Sequence, residues 1–269
     1  MNVESAIKFI ERFGNMLERY RANYLFQGAR DNEVPLHYLQ RLQNKDGGFP
    51  YNLEMGKPIS VNETSGILSL IAELNLGESD VCQKIVNYLF QIQGPNGSWN
   101  ENPEISRFNP PRWDSPNNIN TRMWLTSDIT VHLVHLSYAK SQHVKQACEF
   151  LQKHMDEKGK VEGPQIATWI AMVIFGMLEG SESLYVRKAL DLVEGWLDEE
   201  REDASFLCWY LECLSNAGVP KEHALVQRCL RKLKTLQDDD GGWKSADGAR
   251  YNVSTTINAL KLLKHYGEW

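Results

Sequence analysis

The chain has little with which to build a membrane span, a nucleic-acid surface or a disulfide frame. Its longest apolar run, Trp169 to Leu178, is ten residues, about half of the roughly 20 that cross a bilayer, so no transmembrane segment is expected. Lysine and arginine number 29 against 35 acidic residues, a net charge of −6, with no dense basic run. That excludes a phosphate-neutralising surface, and no nucleic-acid partner is expected. The opening MNVESAIKFIERF carries charges through its first turns and lacks the apolar core of a secretory signal, so a cytoplasmic location is expected. Five cysteines, Cys82, Cys148, Cys208, Cys213 and Cys229, are an odd number at irregular spacing. They read as small buried apolar residues rather than a disulfide framework. There is no His-x3-His or Cys-x2-Cys pair and no alternating strand pattern of useful length, so no metal and no cofactor are expected.

What is present is a repeat. Hydrophobic residues at 42% and charged residues at 24% are ordinary for a folded globular chain. Three segments share the pattern Gln-x-x-x-Gly-(Gly/Ser)-aromatic: Gln43 to Phe49, Gln93 to Trp99 and Gln237 to Trp243. Degenerate copies are expected at Gln152 to Gly159 and near Glu194 and Trp196. Each glutamine ends an apolar-periodic helix, such as Val81 to Gln93. The Asp/Asn-Gly pair that follows supplies the left-handed conformation that stops a helix. After each loop comes a more apolar helix: Asn62–Leu74, Ser127–Ala139, Pro164–Leu178, Asp203–Ala217 and Asn252–Tyr266. Pairs of one amphipathic and one mostly apolar helix predict an all-α fold in two concentric layers, with residues 1–269 as one domain.

The Gln…Gly-x-Trp signature resembles the QW repeat of squalene and oxidosqualene cyclases, and the hairpins resemble the α/α toroid that triterpene cyclases share with protein prenyltransferases. The resemblance runs from about Pro35 to Trp269 and implies a single toroid of five to six hairpins. Residues 1–34 would add an N-terminal capping helix, from about Val3 to Gln27. Asp80-Val-Cys82 is similar to part of the prenyltransferase zinc set, but it opens an outer helix, away from any central cavity, and metal binding is not expected there. Class II terpene cyclases carry Asp-x-Asp-Asp-Thr at the start of an inner helix, and its middle Asp is the acid. Matching the Thr to Thr130 retains that acid as Asp128, whereas Thr126 and Ile129 stand where the other two acids would be.

The inner helices share an acidic or polar residue two before a Ser or Thr: Glu63-Thr-Ser65, Asp128-Ile-Thr130, Asp203-Ala-Ser205 and Ser254-Thr-Thr256. Such residues cap helices, and capping is the expectation for Glu63, Asp203 and Ser254 beside a role in substrate binding. Asp128 is the candidate catalytic acid, with capping as its alternative. His132, four residues on, is placed to bond its carboxylate. Trp124, Trp209 and Trp169 are candidate cavity walls, since aromatic faces stabilise developing cations, or else core. Asn100 to Asn120 holds four prolines and is expected to be a restrained loop and lid, with Arg112 and Trp113 as substrate contacts.

These readings predict an isomerase- or lyase-type, cyclase-like enzyme acting on an apolar, isoprenoid-like small molecule by acid–base chemistry. The alternative is a non-catalytic hydrophobic-ligand-binding or scaffold protein with a degenerate cyclase barrel. The resembled triterpene cyclases carry two barrels and this chain has room for one, which leaves a homodimer or a partner domain open.

Overall fold

Polar caps and apolar stripes set the helices. The computed structural model describes residues 1–29, 31–197 and 203–269. The first helices are α1 Val3–Phe13, α2 Met16–Ala22, α3 Glu33–Leu42 and α4 Val61–Glu73. Next come α5 Asp80–Ile92, α6 Ile119–His135, α7 Gln142–Lys153 and α8 Gln165–Glu179. The last are α9 Leu184–Trp196, α10 Ala204–Asn216, α11 Ala224–Thr235 and α12 Asn252–His265. One two-residue hairpin, β1 Phe49–Pro50 with β2 Ile59–Ser60, interrupts them. Ser60, Ser79 and Ser141 cap α4, α5 and α7 by accepting a backbone N–H of the first turn, which satisfies donors the helix cannot.

The chain divides into two compact units, Asn32–Leu192 on one hand and Met1–Asp31 with Val193–Trp269 on the other. In the first unit, α5 and α7 bury one stripe each, Val81, Ile85 and Leu89 in α5 and Val144, Ala147 and Leu151 in α7. By contrast α8 buries every residue from Ala167 to Phe175, and α6 every residue from Leu125 to Val131. A helix that is apolar all round must be covered all round, and α6 packs against α4, α7 and α8. In the second unit, α12 packs against α1, α2 and α10.

The glutamine loops fasten one hairpin to the next by the same bonds each time. The amide Nε2 of Gln43 donates to Gly47 O at 2.8 Å and Val81 O at 3.0 Å. Gln93 does so to Gly97 O and His143 O at 2.8 and 2.9 Å, and Gln237 to Gly241 O and Asn2 O at 2.9 and 2.8 Å. Each glutamine thus ties its own loop to the first turn or cap of the next outer helix. The motif glycines make that approach possible. Gly47, Gly97 and Gly241 have φ of 101°, 88° and 92°, and an added Cβ would fall 2.2 to 2.4 Å from backbone atoms of Lys84, Gln146 and Ser5. On the inner side, the N–H of Phe49, Trp99 and Trp243 donates to the hydroxyl of Thr64, Thr126 and Thr256 at 2.9, 3.1 and 2.9 Å.

Three expectations change. The N-terminal stretch is two helices, because Gly14 closes α1 and Asn15 opens α2 with a capping box to Glu18. Moreover α1 holds the outer-helix place for the Gln237 loop, as α5 does for Gln43 and α7 for Gln93. The degenerate fourth turn is in a different register from Gln152–Gly159. Met155 bridges Val161, as Gln237 bridges Trp243, and Val161 N donates to Thr168 Oγ1 at 3.0 Å. Gln152 instead reaches Tyr185 Oη at 3.2 Å. The copy near Glu194 and Trp196 runs into 198–202, outside the described residues. Lastly, α6 begins at Ile119, capped by Asn118, well before Ser127.

Candidate functional site

The early start of α6 decides what Asp128 can do. It lies in the third turn of the helix, beyond the free N–H groups of the first turn, so it cannot cap α6. Its register is fixed by Thr126, the acceptor for Trp99 N–H. Thr64 has the same task in α4, so the position that is Asp128 in α6 is Gly66 in α4.

Asp128 is 6% exposed. Ser65 Oγ donates to its Oδ2 at 2.6 Å, a short hydroxyl–carboxyl bond. His132 Nε2 lies 3.3 Å from Oδ1, a longer contact that becomes an ion pair when the imidazole is protonated. His135 follows one turn on, its ring 6.4 Å from that of His132. One turn before the acid, Trp124 Nε1 donates to Asn62 Oδ1 at 3.0 Å. Helices α4 and α6 are therefore stitched at two levels, Asn62 to Trp124 and Ser65 to Asp128. A buried carboxyl with one firm neutral donor and an imidazole within reach can hold a proton, release it, and have the resulting charge received by both partners.

Beside this pair, α4 presents Asn62, Gly66 and Ser69 on its accessible side. Gly66 is exposed, its φ is outside the left-handed region, and an added Cβ would meet no atom within 4 Å. Glycine inside a helix costs about 0.5–1 kcal/mol relative to alanine, and no contact within the described structure calls for it here.

Glu101 anchors the site from below. It is 1% exposed and accepts from Val61 N at 2.7 Å, Asn62 N at 2.9 Å, Asn102 N at 2.6 Å and Ser60 Oγ at 3.0 Å. Burial pushes its carboxyl above the usual range, and the backbone donors at the start of α4 oppose that rise. Asn102 Nδ2 adds a bond to Ile59 O at 2.8 Å, and Phe108 stacks on Tyr51 at 5.6 Å. The first part of the proline-rich segment is thus pinned to the hairpin and to α4. Its later part, the short turn Arg112–Asp114, leaves Arg112 and Trp113 exposed.

The other candidate residues are placed as follows. Glu63 is half-buried in the first turn of α4, where its Oε1 accepts from Asn52 N at 3.2 Å, steadying the hairpin loop. Trp169 is 2% exposed on α8, inside the packing of that helix. Asp203 and Trp209 belong to the unit that holds α10. Asp203 caps α10, accepting from Ser205 N at 2.7 Å and Phe206 N at 3.3 Å, and Trp209 is 38% exposed. Cys82 is fully buried, its thiol pushed by burial to about 11, while Asp80 beside it is exposed. Ser65, Asn62 and Glu101 were not singled out as partners from the sequence. Their role depends on which turn of α4 meets which turn of α6, and no local pattern carries that register.

No family profile matches the chain, and no curated protein matches it in sequence. Solved structures do match in fold. Type II terpene cyclase MstE from Scytonema superposes with a TM-score of 0.67 at 13% identity, over 99% of this chain and 97% of that one. A variant of MstE in complex with geranylgeranyl dihydroxybenzoate, its substrate, gives 0.61 at 13% identity over 99% and 96%. A protein from Actinoplanes gives 0.67 at 14% identity over 98% of each chain. The likeness carries the fold: the chain has the all-α, α/α-toroid type of fold of the terpene cyclases. No helix among the described residues is long and apolar enough to cross a membrane.

Proposed function

We propose that the protein is a terpene cyclase-like enzyme that works on an apolar, isoprenoid-bearing small molecule by proton transfer at Asp128. One observation carries the reading: a buried carboxyl in the third turn of α6, relieved of any capping duty, is held by Ser65 and faces His132. The terpene cyclase fold supports the substrate class, and MstE, which shares it, takes a geranylgeranyl dihydroxybenzoate.

The chemistry follows from the groups present. Neutral Asp128 gives its proton to a carbon–carbon double bond, and a carbocation forms on the substrate. The carboxylate left behind keeps the Ser65 hydrogen bond and faces the His132 imidazole at 3.3 Å. Loss of a proton from the substrate cation to the Asp128 carboxylate forms a new double bond and restores the neutral acid, so the overall change is an isomerisation. Trp124, with its N–H held by Asn62, supplies an aromatic face one turn from the acid. The neighbouring acids of the class II motif are replaced by Thr126 and Ile129, so the acid relies on Ser65 and His132. This favours a modest isomerase or lyase reaction over a long polyene cascade.

The test is native mass spectrometry with product analysis on wild type and Asp128→Asn, against geranylgeranyl dihydroxybenzoate, prenyl diphosphates and polyenes. Wild type should release a product of unchanged mass and altered retention, and the variant should lose at least about a hundredfold in rate while still retaining ligand. Retention without turnover in both proteins would replace this reading with a non-catalytic ligand-binding protein.

A further inference from the structure

We infer that Gly66 is a specificity-determining position: its missing side chain opens a lane across α4, along which an uncharged isoprenoid chain reaches the Asp128 carboxyl. The inference rests on the proposed proton-transfer role of Asp128.

The three glycines of the glutamine loops have a visible task, whereas Gly195 in α9, exposed and with open space at its Cβ, is as unconstrained as Gly66. Gly47, Gly97 and Gly241 adopt positive φ, and each lets a neighbouring helix backbone come too close for a Cβ. Gly66 has neither reason. It sits inside a right-handed helix, is exposed, and has open space where its side chain would be. A residue with a side chain would give a firmer helix at no steric cost to the fold. What a side chain there would obstruct is the accessible side of α4 next to the acid.

The register identifies that side. Gly66 occupies in α4 the place that Asp128 occupies in α6. The residue before it, Ser65, donates to Asp128, and Asn62, one turn back, holds the Trp124 ring. A ligand passing over Gly66 therefore meets the tryptophan and the carboxyl within about one helical turn. The chemistry of the lane identifies what passes. Asn62 and Ser69 are neutral, and the nearest charged residues on α4, Glu63 and Glu73, are acidic. An anionic head group is disfavoured there, whereas a hydrocarbon chain with double bonds matches the uncharged Asn62, Gly66 and Ser69 side beside an indole face.

The experiment compares wild type, Gly66→Ala and Gly66→Leu in three measurements: thermal melting, binding of geranylgeraniol and of the shorter geraniol, and turnover of the substrate found active with wild type. Alanine should raise the melting temperature by about 2 °C, and leucine should leave it no lower than wild type. Leucine should weaken geranylgeraniol binding by about tenfold or more, with geraniol affected less and alanine intermediate. Leucine binding and turning over the long chain as wild type does would overturn the inference while leaving Asp128 as the acid. A melting temperature lowered by alanine would also overturn it, because the glycine would then serve the fold. Wild type that neither binds nor converts any isoprenoid sinks the parent reading, and this one with it.

Discussion

The turn from Gln93 to Trp99 and the turn from Met155 to Val161 have the same backbone and different side chains. In both, the second residue donates to the carbonyl before the last position, Gly94 to Ser98 at 2.8 Å and Asp156 to Lys160 at 2.9 Å. Both have a glycine at φ near 90°, Gly97 and Gly159. In both the final N–H lands on an inner-helix threonine, Thr126 or Thr168. The differences lie outward. Trp99 is fully buried and donates its indole N–H to Leu89 O at 2.7 Å, whereas Val161 only fills space. Gln93 ties the loop to α7, and Met155 has no amide to do so. A Cβ on Gly97 would strike the backbone of Gln146 at 2.3 Å, but on Gly159 the nearest atom would be Lys188 Cβ at 3.0 Å, with backbone no nearer than Ala189 N at 3.8 Å. The glycine and the threonine are enough to form the turn. The glutamine and the tryptophan fasten the next outer helix down on it.

The contrast can be broken first at the large side chain. Trp99→Ala should cost about 3–5 kcal/mol through the cavity it leaves, and Val161→Ala about 2 kcal/mol, both read from denaturant unfolding. Near-equal losses would mean that the tryptophan carries no more of the fastening than the valine does. The glycines come next. Gly97→Ala adds a backbone collision to an unfavourable φ and should cost about 3 kcal/mol or more, and Gly159→Ala, with the same φ but a tight contact in place of a collision, about 1–2 kcal/mol. A Gly159 variant as damaged as the Gly97 one would show that φ alone matters.

The smallest effect is a dependence on pH at the Gln93 turn. Gln93 Nε2 is spent on two carbonyls, so its Oε1 accepts from His143 Nδ1 at 2.5 Å, and the ring stacks on Phe90 at 3.9 Å. Burial holds the His143 imidazole below its ordinary value. Below about pH 6.5 the unfolded chain therefore takes up the proton more readily than the folded one. The stability linked to this residue is present above that pH and is lost as pH falls toward the depressed folded value. Replacing His143 with Phe should flatten this part of the stability–pH curve, and an unchanged slope would assign it to other groups.

The helices and the three complete turns were legible because their chemistry is local: a cap, an apolar stripe, a glycine that stops a helix, an aromatic that folds back. The start of α6 was not, since Asn118-Ile119-Asn120 looks like the proline-rich loop before it, although Asn118 caps the helix there. That shift moved Asp128 from a capping position to the interior of its helix. The fourth turn was placed by its glutamine, Gln152, although the glycine and Thr168 are what set its register. Of the site, the acid and its i+4 histidine could be read along one helix. Ser65 and Asn62 reach it across 63 and 62 residues, and Glu101 reaches the start of α4 across 39 to 41, where alignment between helices, not sequence spacing, decides who meets whom. Asp203, expected as a cap, is one.

The bond between Gln237 and Asn2, made twice over through the amide of the one and the backbone of the other, has a consequence for biosynthesis. The segment around Asn2 finds its partner 235 positions later in the sequence. At ordinary translation speeds that is a wait of roughly 10 to 50 s. During it α1, whose Ala6, Phe9 and Ile10 are buried in the finished protein, has α2 to pack on but lacks α12. Residues 32–192 can meanwhile collapse as a nascent unit.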